Sequence, residues 1–413
     1  MSVENRIKHT VHRWRHTNWV PSPIKSISCD SSSKTVAVGR EDGDIQLLCP
    51  DSKWHTIAWI HGQTDFKLQQ LVWSIKGSSR LFGVSLRGFI FEVDCSKLEM
   101  KNIEDCYGGA AWCISASKND SILAVGCEDG TVRIFSYEND GNIDYVRTLQ
   151  TTGSRILCIA FHPELPQIYM GCDDGTIRCV DVTTGRSIFR MTGDTLRGTR
   201  TRIWSIIVLK DSTVISGDSR GHVQFWDGEV GVLMATIQQH NAEVLALVAS
   251  PDESQVFASG TDSRVTWLKK VNIIEDSMGT KGVEDVGDVT TENNKDNVQS
   301  QARPTDNQWV HTTSQRPHSH DVFSLAVIAD DDGGRLVSGG LDCKVSWYSI
   351  SAFGQTRPTW VLPVPASGLV NTLLQPDCKG WSLVRQRHRL DLWSLNGRVD
   401  VVEQNLGQHE RVT

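Results

Sequence analysis

Small or apolar residues run into an acidic or polar turn and then into an alternating strand, and this pattern recurs along most of the chain. The copies read VGREDGDIQLL (38–48), GVSLRGFIFEVD (83–94), VGCEDGTVRIFS (125–136) and MGCDDGTIRCVD (170–181). SGDSRGHVQFWD (216–227), SGTDSRVTWLK (259–269) and SGGLDCKVSWYS (338–349) follow, with a degraded copy, RQRHRLDLWSL, at 385–395. Turn positions 43, 88, 130, 175, 221, 264, 344 and 390 are separated by 45, 42, 45, 46, 43, 80 and 46 residues. A fixed period in the low-to-mid forties makes each repeat one supersecondary unit that stacks on its neighbours, which excludes most folds open to a chain of this length.

Each unit has room for four strands. Thr131-Val132-Arg133-Ile134-Phe135 alternates with period two, and Asp129-Gly130 and Asp174-Gly175 suit tight hairpins because Gly takes positive φ cheaply. Apolar runs such as Ile156 to Phe161 and Val322 to Ile328 fit inner strands covered on both faces. The fold class is therefore all-β, a WD-repeat β-propeller. Seven repeats end near Pro363, giving a propeller over 1–363. An eighth repeat and tail occupy 364–413 and either complete an eight-bladed ring or start a second, truncated propeller. His9 to Arg15 precedes any complete repeat and is expected to pair with the last blade and close the ring. The 80-residue spacing reflects an acidic insert, 270–307, expected to be a disordered loop between the third and fourth strands of blade six.

The formal net charge is -7, so no global field attracts nucleic acid. Glu275, Asp276, Glu284, Asp285, Asp288, Glu292 and Asp296 of the insert, set against Lys281 and Lys295, account for most of it, which leaves room for local basic patches. The 11 cysteines form no C-x-x-C pair and no zinc spacing, and many sit in strand-like runs as small apolar fillers. Their odd number, a polar N-terminus and the absence of a long apolar run fit a soluble protein of a reducing compartment.

Asp42, Asp129, Asp174, Asp262 and Asp342 recur at the turns. In WD repeats such an Asp orients a His from the preceding loop, with a Ser and a Trp completing a hydrogen-bonded set. Blade six offers His240 with Ser259, blade seven offers His320 with Ser338 and Tyr348, and the Trp-Asp pair itself survives at Trp226-Asp227. Repetition marks these residues as scaffold, because buried polar groups need partners. His318-Ser319-His320 lacks the further ligands of a metal site, and no phosphate-cradling Gly-rich loop is present, so no metal and no cofactor is expected. Two basic stretches stand out: Arg197, Arg200 and Arg202 before blade five, and Arg385, Arg387 and Arg389 in the eighth repeat. Clustered Arg can grip RNA phosphates or an acidic protein partner.

HRWRHTNWVPSPIKSISCD, SRILCIAFHP, RIWSIIVLKDSTVISGDSRGHVQFWD, HSHDVFSLAV and RHRLDLWSLNG together resemble the cirhin family of WD-repeat U3 small nucleolar RNA-associated proteins. The resemblance implies a nonenzymatic scaffold of the small-subunit processome, acting in pre-rRNA processing toward 18S rRNA in the nucleus and nucleolus. It further implies other WD-repeat proteins as partners, with the pre-rRNA 5′ external spacer or U3 RNA contacted directly or indirectly. It also implies two tandem propellers, so a second one is expected to be missing here. The family's basic loop matches at Arg200 and Arg202. A generic WD adaptor, such as a ubiquitin-ligase substrate receptor, is the alternative, weakened because Trp226-Asp227 is followed by Gly228-Glu229 rather than by an Arg two positions on. A propeller enzyme would need carboxylates converging on the ring axis.

Overall fold

The computed structural model describes residues 10–15, 21–30, 32, 34–62, 66–75, 79–138, 142–149, 152–193, 201–272, 307–330, 333–361, 371–373, 381–386 and 389–394. Its contacts divide the chain into two compact units, Ser22–Leu362 and a second made of Met1–Pro21 with Pro363–Thr413.

The larger unit is a seven-bladed WD-repeat β-propeller. Its seven sheets follow one another, each with four antiparallel strands in chain order. The inner strands are Ile24–Cys29, Leu68–Trp73, Ala111–Ala116, Ile156–Phe161, Ile203–Val208, Val244–Ala249 and Val322–Ile328. Second strands such as Val36–Arg40 and Thr213–Asp218 are buried throughout, because neighbouring blades cover both faces, whereas fourth strands such as Glu99–Asp105 and Asp144–Thr148 are largely exposed. Each buried Ile, Leu or Val of these inner layers contributes roughly 1.5–3 kcal/mol by leaving water.

The third residue of most inner strands reaches across to the next blade. Leu71 N donates to Ser26 Oγ at 2.9 Å and Ile114 N to Gln70 Oε1 at 3.0 Å. Cys158 Sγ donates to Ile203 O at 3.4 Å, and Ser205 Oγ to Val244 O at 3.4 Å. The same contact closes the circle: Ile27 N donates to Ser324 Oγ of blade seven at 2.8 Å. Ile24 and Ile27 share a core with Ala326, Ile328 and Val337. A Cβ on Gly339 would stand 2.7 Å from Ile27 and 2.9 Å from Ile24, so a glycine is needed where blade seven meets blade one.

This closure decides between the two readings of the eighth repeat and corrects the role expected of the N-terminal strand. No eighth blade enters the ring, because blade seven packs directly on blade one. The N-terminal strand does not close it, because blade seven already has its own fourth strand, Thr359–Val361. Instead Thr10–Arg15 pairs with Arg389–Ser394, from Thr10↔Ser394 to Arg15↔Arg389, in a sheet completed by Trp381–Gln386 and Asn371–Leu373. The N-terminal strand thus serves the eighth repeat, and the larger compact unit runs over Ser22–Leu362. His9 lies outside the described residues.

The expected insert also contracts. The third and fourth strands of blade six run over Val265–Asn272 and Asn307–Gln315, and they stay paired through Lys270↔Trp309 to Asn272↔Asn307. Lys270 Nζ sits 2.6 Å from Asp211, and the Trp309 ring stacks on Phe225 at 5.0 Å. Residues 273–306 lie outside the described residues.

Candidate functional site at the channel mouth

Two kinds of polar construction mark the face where the second-to-third-strand hairpins lie. One ties the hairpins down and the other surrounds the central channel.

Blade seven carries a complete chain of hydrogen bonds. His318 Nδ1 meets Asp342 Oδ1 at 3.0 Å, His318 Nε2 meets Ser338 Oγ at 2.8 Å, and Ser338 Oγ meets the Tyr348 hydroxyl at 3.1 Å. His318, Ser338 and Tyr348 are all buried. Burial pushes the Asp342 carboxyl up, but the hydrogen bond and charge of His318 outweigh it and hold the group below its ordinary range. The sequence predicts His320 at this place. His320 is instead exposed and bonds the adjacent Ser319 at 2.9 Å. The cause is blade seven's longer first hairpin: Val322 pairs with Gly340, whereas Val244 pairs with Gly260 in blade six. Counting back from the inner strand finds the right histidine, since His240 precedes Val244 by the same interval that separates His318 from Val322. Because both ring nitrogens of His318 are engaged, the His318-Ser319-His320 run cannot offer that ring to a metal.

Blade six holds half of the chain. His240 Nδ1 meets Asp262 Oδ1 at 3.0 Å, and His240 lowers the Asp262 carboxyl against the upward push of burial. Ser259 takes no part. The register pairs Ala258 with Leu247 as it pairs Ser338 with Leu325, so Ala258 occupies the serine position and Leu268 the aromatic one. A shift of one residue along a strand turns the side chain to the other face, and Ser259 Oγ points toward Val322 O of blade seven, 3.5 Å away. His240 Nε2 is left buried without a hydrogen-bond partner among the described residues.

The other turn acids have no histidine partner among the described residues. Asp129 Oδ1 accepts from Thr131 N at 2.9 Å and Oγ1 at 2.7 Å, with Arg133 on its second oxygen at 3.2 Å. Asp174 repeats this with Thr176 and Arg178. Asp42 accepts from Asp44 N at 3.1 Å, and burial raises its carboxyl. These are local side-chain turns rather than a network across the blade. In blade five Trp226 Nε1 donates to Ser216 Oγ at 2.9 Å, while Asp218 bonds His222 of its own hairpin at 3.0 Å.

The second construction was not anticipated. All seven inner strands carry a bulge in their pairing with the second strand, at Ile24/Ser26, Leu68/Gln70, Ala111/Cys113, Ile156/Cys158, Ile203/Ser205, Val244/Ala246 and Val322/Ser324. A bulge re-aims the extra residue. The seven extra residues, Lys25, Gln69, Trp112, Leu157, Trp204, Leu245 and Phe323, line a channel cavity of about 200 Å³. Aligning the inner strands within the period would have picked them out as the second residue of each. No carboxylate lines this cavity among the described residues.

A ladder of alternating charge flanks the mouth over blades three to five. Trp112 Nε1 donates to Glu128, and Arg155 lies over the Trp112 ring at 5.7 Å. Arg155 reaches Glu128 at 3.6 Å and Asp173 at 3.2 Å. Asp173 in turn holds Arg202 Nε at 2.8 Å, and Arg202 covers Trp204 at 5.9 Å. Of the expected basic residues, Arg202 is thus already paired. Arg197, Arg200 and Arg387 lie outside the described residues, and Arg385 and Arg389 fall on strands of the smaller unit.

The sequence profile of the WD domain, G-beta repeat, matches residues 102–136, 144–181, 231–266 and 298–349. Each segment starts within or before the fourth strand of one blade and ends within the third strand of the next or at its end, so the sequence repeat straddles two sheets. The U3 small nucleolar RNA-associated protein 4 homolog of Homo sapiens is 30% identical over 336 residues, 80% of this chain and 44% of that protein. The U3 small nucleolar RNA-associated protein 4 of Schizosaccharomyces pombe is 28% identical over 369 residues, 86% of this chain and 47% of its own length. Its counterpart in Saccharomyces cerevisiae is 27% identical over 384 residues, 87% and 46% respectively. The chain spans less than half the length of these curated relatives.

Proposed function

We propose that this WD-repeat β-propeller is a nonenzymatic scaffold in ribosome biogenesis, a component of the small-subunit processome acting in pre-rRNA processing toward 18S rRNA. One observation carries the reading: at least 80% of the chain aligns with proteins named for association with U3 small nucleolar RNA. The architecture is compatible, since a closed ring offers rigid hairpins for partners, and among the described residues no carboxylate lines its channel cavity. Fold alone would fit a ubiquitin-ligase receptor equally well, and no structural observation favours that role.

The proposed location is the nucleolus, and the proposed partners are other WD-repeat processome proteins together with the pre-rRNA 5′ spacer or U3 RNA. At Arg202 a phosphate would have to displace Asp173 from a 2.8 Å ion pair, which weighs toward RNA contact through Arg197 and Arg200 or through neighbouring proteins. The test is co-purification of the tagged chain from cells at moderate and high salt, with sequencing of the bound RNA. Enrichment of U3 RNA and 5′ spacer is the expected result, and loss of that RNA at high salt assigns the contact to phosphates. A folded chain that brings down no ribosomal precursor RNA, while a full-length relative does, would sink the reading for this chain.

A further inference from the structure

Among the described residues, Lys25 is the single charged one lining the channel cavity. Its Nζ sits 4.1 Å from the centroid of the Phe323 ring. Among the described residues no carboxylate pairs with it, in contrast to Arg155 and Arg202 on the neighbouring ladder, which are each tied to Asp173. The cation is therefore held at the mouth by an aromatic face, an arrangement that fixes an ammonium without neutralising it. Trp112, Leu157, Trp204 and Leu245 complete the wall.

We infer that the channel mouth is a peptide-binding site for an extended acidic segment of a partner protein. One Asp or Glu carboxylate of the segment binds Lys25, and an adjacent apolar side chain enters the wall between Trp112 and Trp204. Charge complementarity selects this occupant. Among the described residues the only uncompensated charge on the cavity wall is positive, and a carboxylate on it forms a charge-assisted hydrogen bond in a partly desolvated place. A nucleic-acid strand fits less well. Arg155 and Arg202, the cations beside the two indoles, are already tied to Glu128 and Asp173 and are not free to take the successive phosphates of a strand, whereas a single carboxylate needs only Lys25. The cavity of about 200 Å³ also suits a side chain or two at most. The bulge in every inner strand gives the site rigidity, because each wall residue is set by a sheet rather than by a loop. The inference does not depend on the U3 reading.

The test uses the full chain and an array of short capped peptides in which a central Asp or Glu is flanked by apolar residues. A matched array carries Asn or Gln at the same place. The tightest peptide is labelled and titrated by fluorescence anisotropy. The acidic peptides should bind and their amide counterparts should bind about tenfold more weakly or worse. Lys25→Met should weaken binding by a similar factor, and Lys25→Arg should keep most of it, with the thermal melt of both variants unchanged. Equal binding of acidic and amide peptides, no binding by either array, or an unaffected Lys25→Met variant would each overturn the site. A short single-stranded oligouridine that binds in place of the peptides and is lost in Lys25→Met would reassign the mouth to RNA.

Discussion

His318 Nε2 and Ser338 Oγ lie 2.8 Å apart inside blade seven, while in blade six Ala258 holds the serine position and the equivalent histidine, His240, has no hydrogen-bond partner for its Nε2 among the described residues. Two blades of one ring therefore present the same histidine–aspartate pair with and without its serine. Ser338→Ala should cost about 2–3 kcal/mol, because it strands buried His318 and Tyr348 groups at once. Ala258→Ser should do the opposite and stabilise the propeller by about 1 kcal/mol, since it adds a partner for an atom that is already buried. Calorimetric unfolding of the two variants checks both signs, and a lower melting temperature for Ala258→Ser would show that its hydroxyl does not reach His240.

The aspartates of these pairs also set a pH dependence. Asp342 and Asp262 are held below the ordinary carboxylate range by His318 and His240, against the upward push of burial. A carboxyl depressed in the folded state binds fewer protons there than in the unfolded chain. Its contribution is complete above the unfolded value, about 4, and is lost as the pH falls through the folded value. Denaturant midpoints should therefore be flat just above that value and drop below it. In Asp342→Asn the midpoint should be lower near neutrality and the acid drop shallower. An acid drop of unchanged steepness in Asp342→Asn would assign the effect to other carboxylates.

Much of the propeller could be read from the chain, because period-two alternation and a turn every forty-odd residues depend on local sequence alone. The ring closure could not. It rests on Ile24 and Ile27 meeting Gly339 across nearly the whole sequence, and nothing local separates that from an eight-bladed circle. The site was less legible for a related reason. A side chain's direction on a strand depends on register, and one residue of slip exchanged Ala258 for Ser259. Hairpin length exchanged His318 for His320. Lys25, Trp112 and Trp204 look like unremarkable members of apolar strands until the bulge turns them to the axis.

Blade two carries a buried ion cluster. Arg80 grips Glu92 through two bonds, at 2.8 and 2.7 Å, and donates to Tyr137 O of blade three at 2.7 Å. Asn102 adds a bond to Glu92 at 2.9 Å, and the Glu92 side chain is 3% exposed. Removing one partner leaves a buried charge, so Glu92→Met should cost about 3 kcal/mol or more. The double variant Arg80→Met with Glu92→Met should recover part of that loss, because no charge is then stranded. Urea unfolding of both singles and the double gives the coupling, and a double variant as unstable as the two losses added would show that the pair acts independently.

The hairpins of blades six and seven carry a different cost. Where blade three uses Gly130 at φ 80°, blade six has Ser263 at φ 63° and blade seven has Cys343 at φ 65°. The repeat pattern predicts these turns at 264 and 344, one residue after the positions that take positive φ. A side chain in the left-handed region crowds its own carbonyl, at roughly 1–2 kcal/mol per residue. Against that stands the greater freedom glycine gives the unfolded chain, about 0.4–1 kcal/mol. The balance favours glycine, so Cys343→Gly and Ser263→Gly should each raise stability by about 0.5–1 kcal/mol. Cys343 Sγ donates to Leu341 O at 3.4 Å, which returns a little of the strain and places Cys343→Gly at the lower end. Gly130→Ala is the control and should move in the opposite direction, because its Cβ would also stand 2.7 Å from Ser154 O. Thermal melts of the three variants separate backbone strain from lost contacts: a fall in both glycine variants would mean that the side chains at 263 and 343 hold their hairpins more firmly than the turn geometry opposes them.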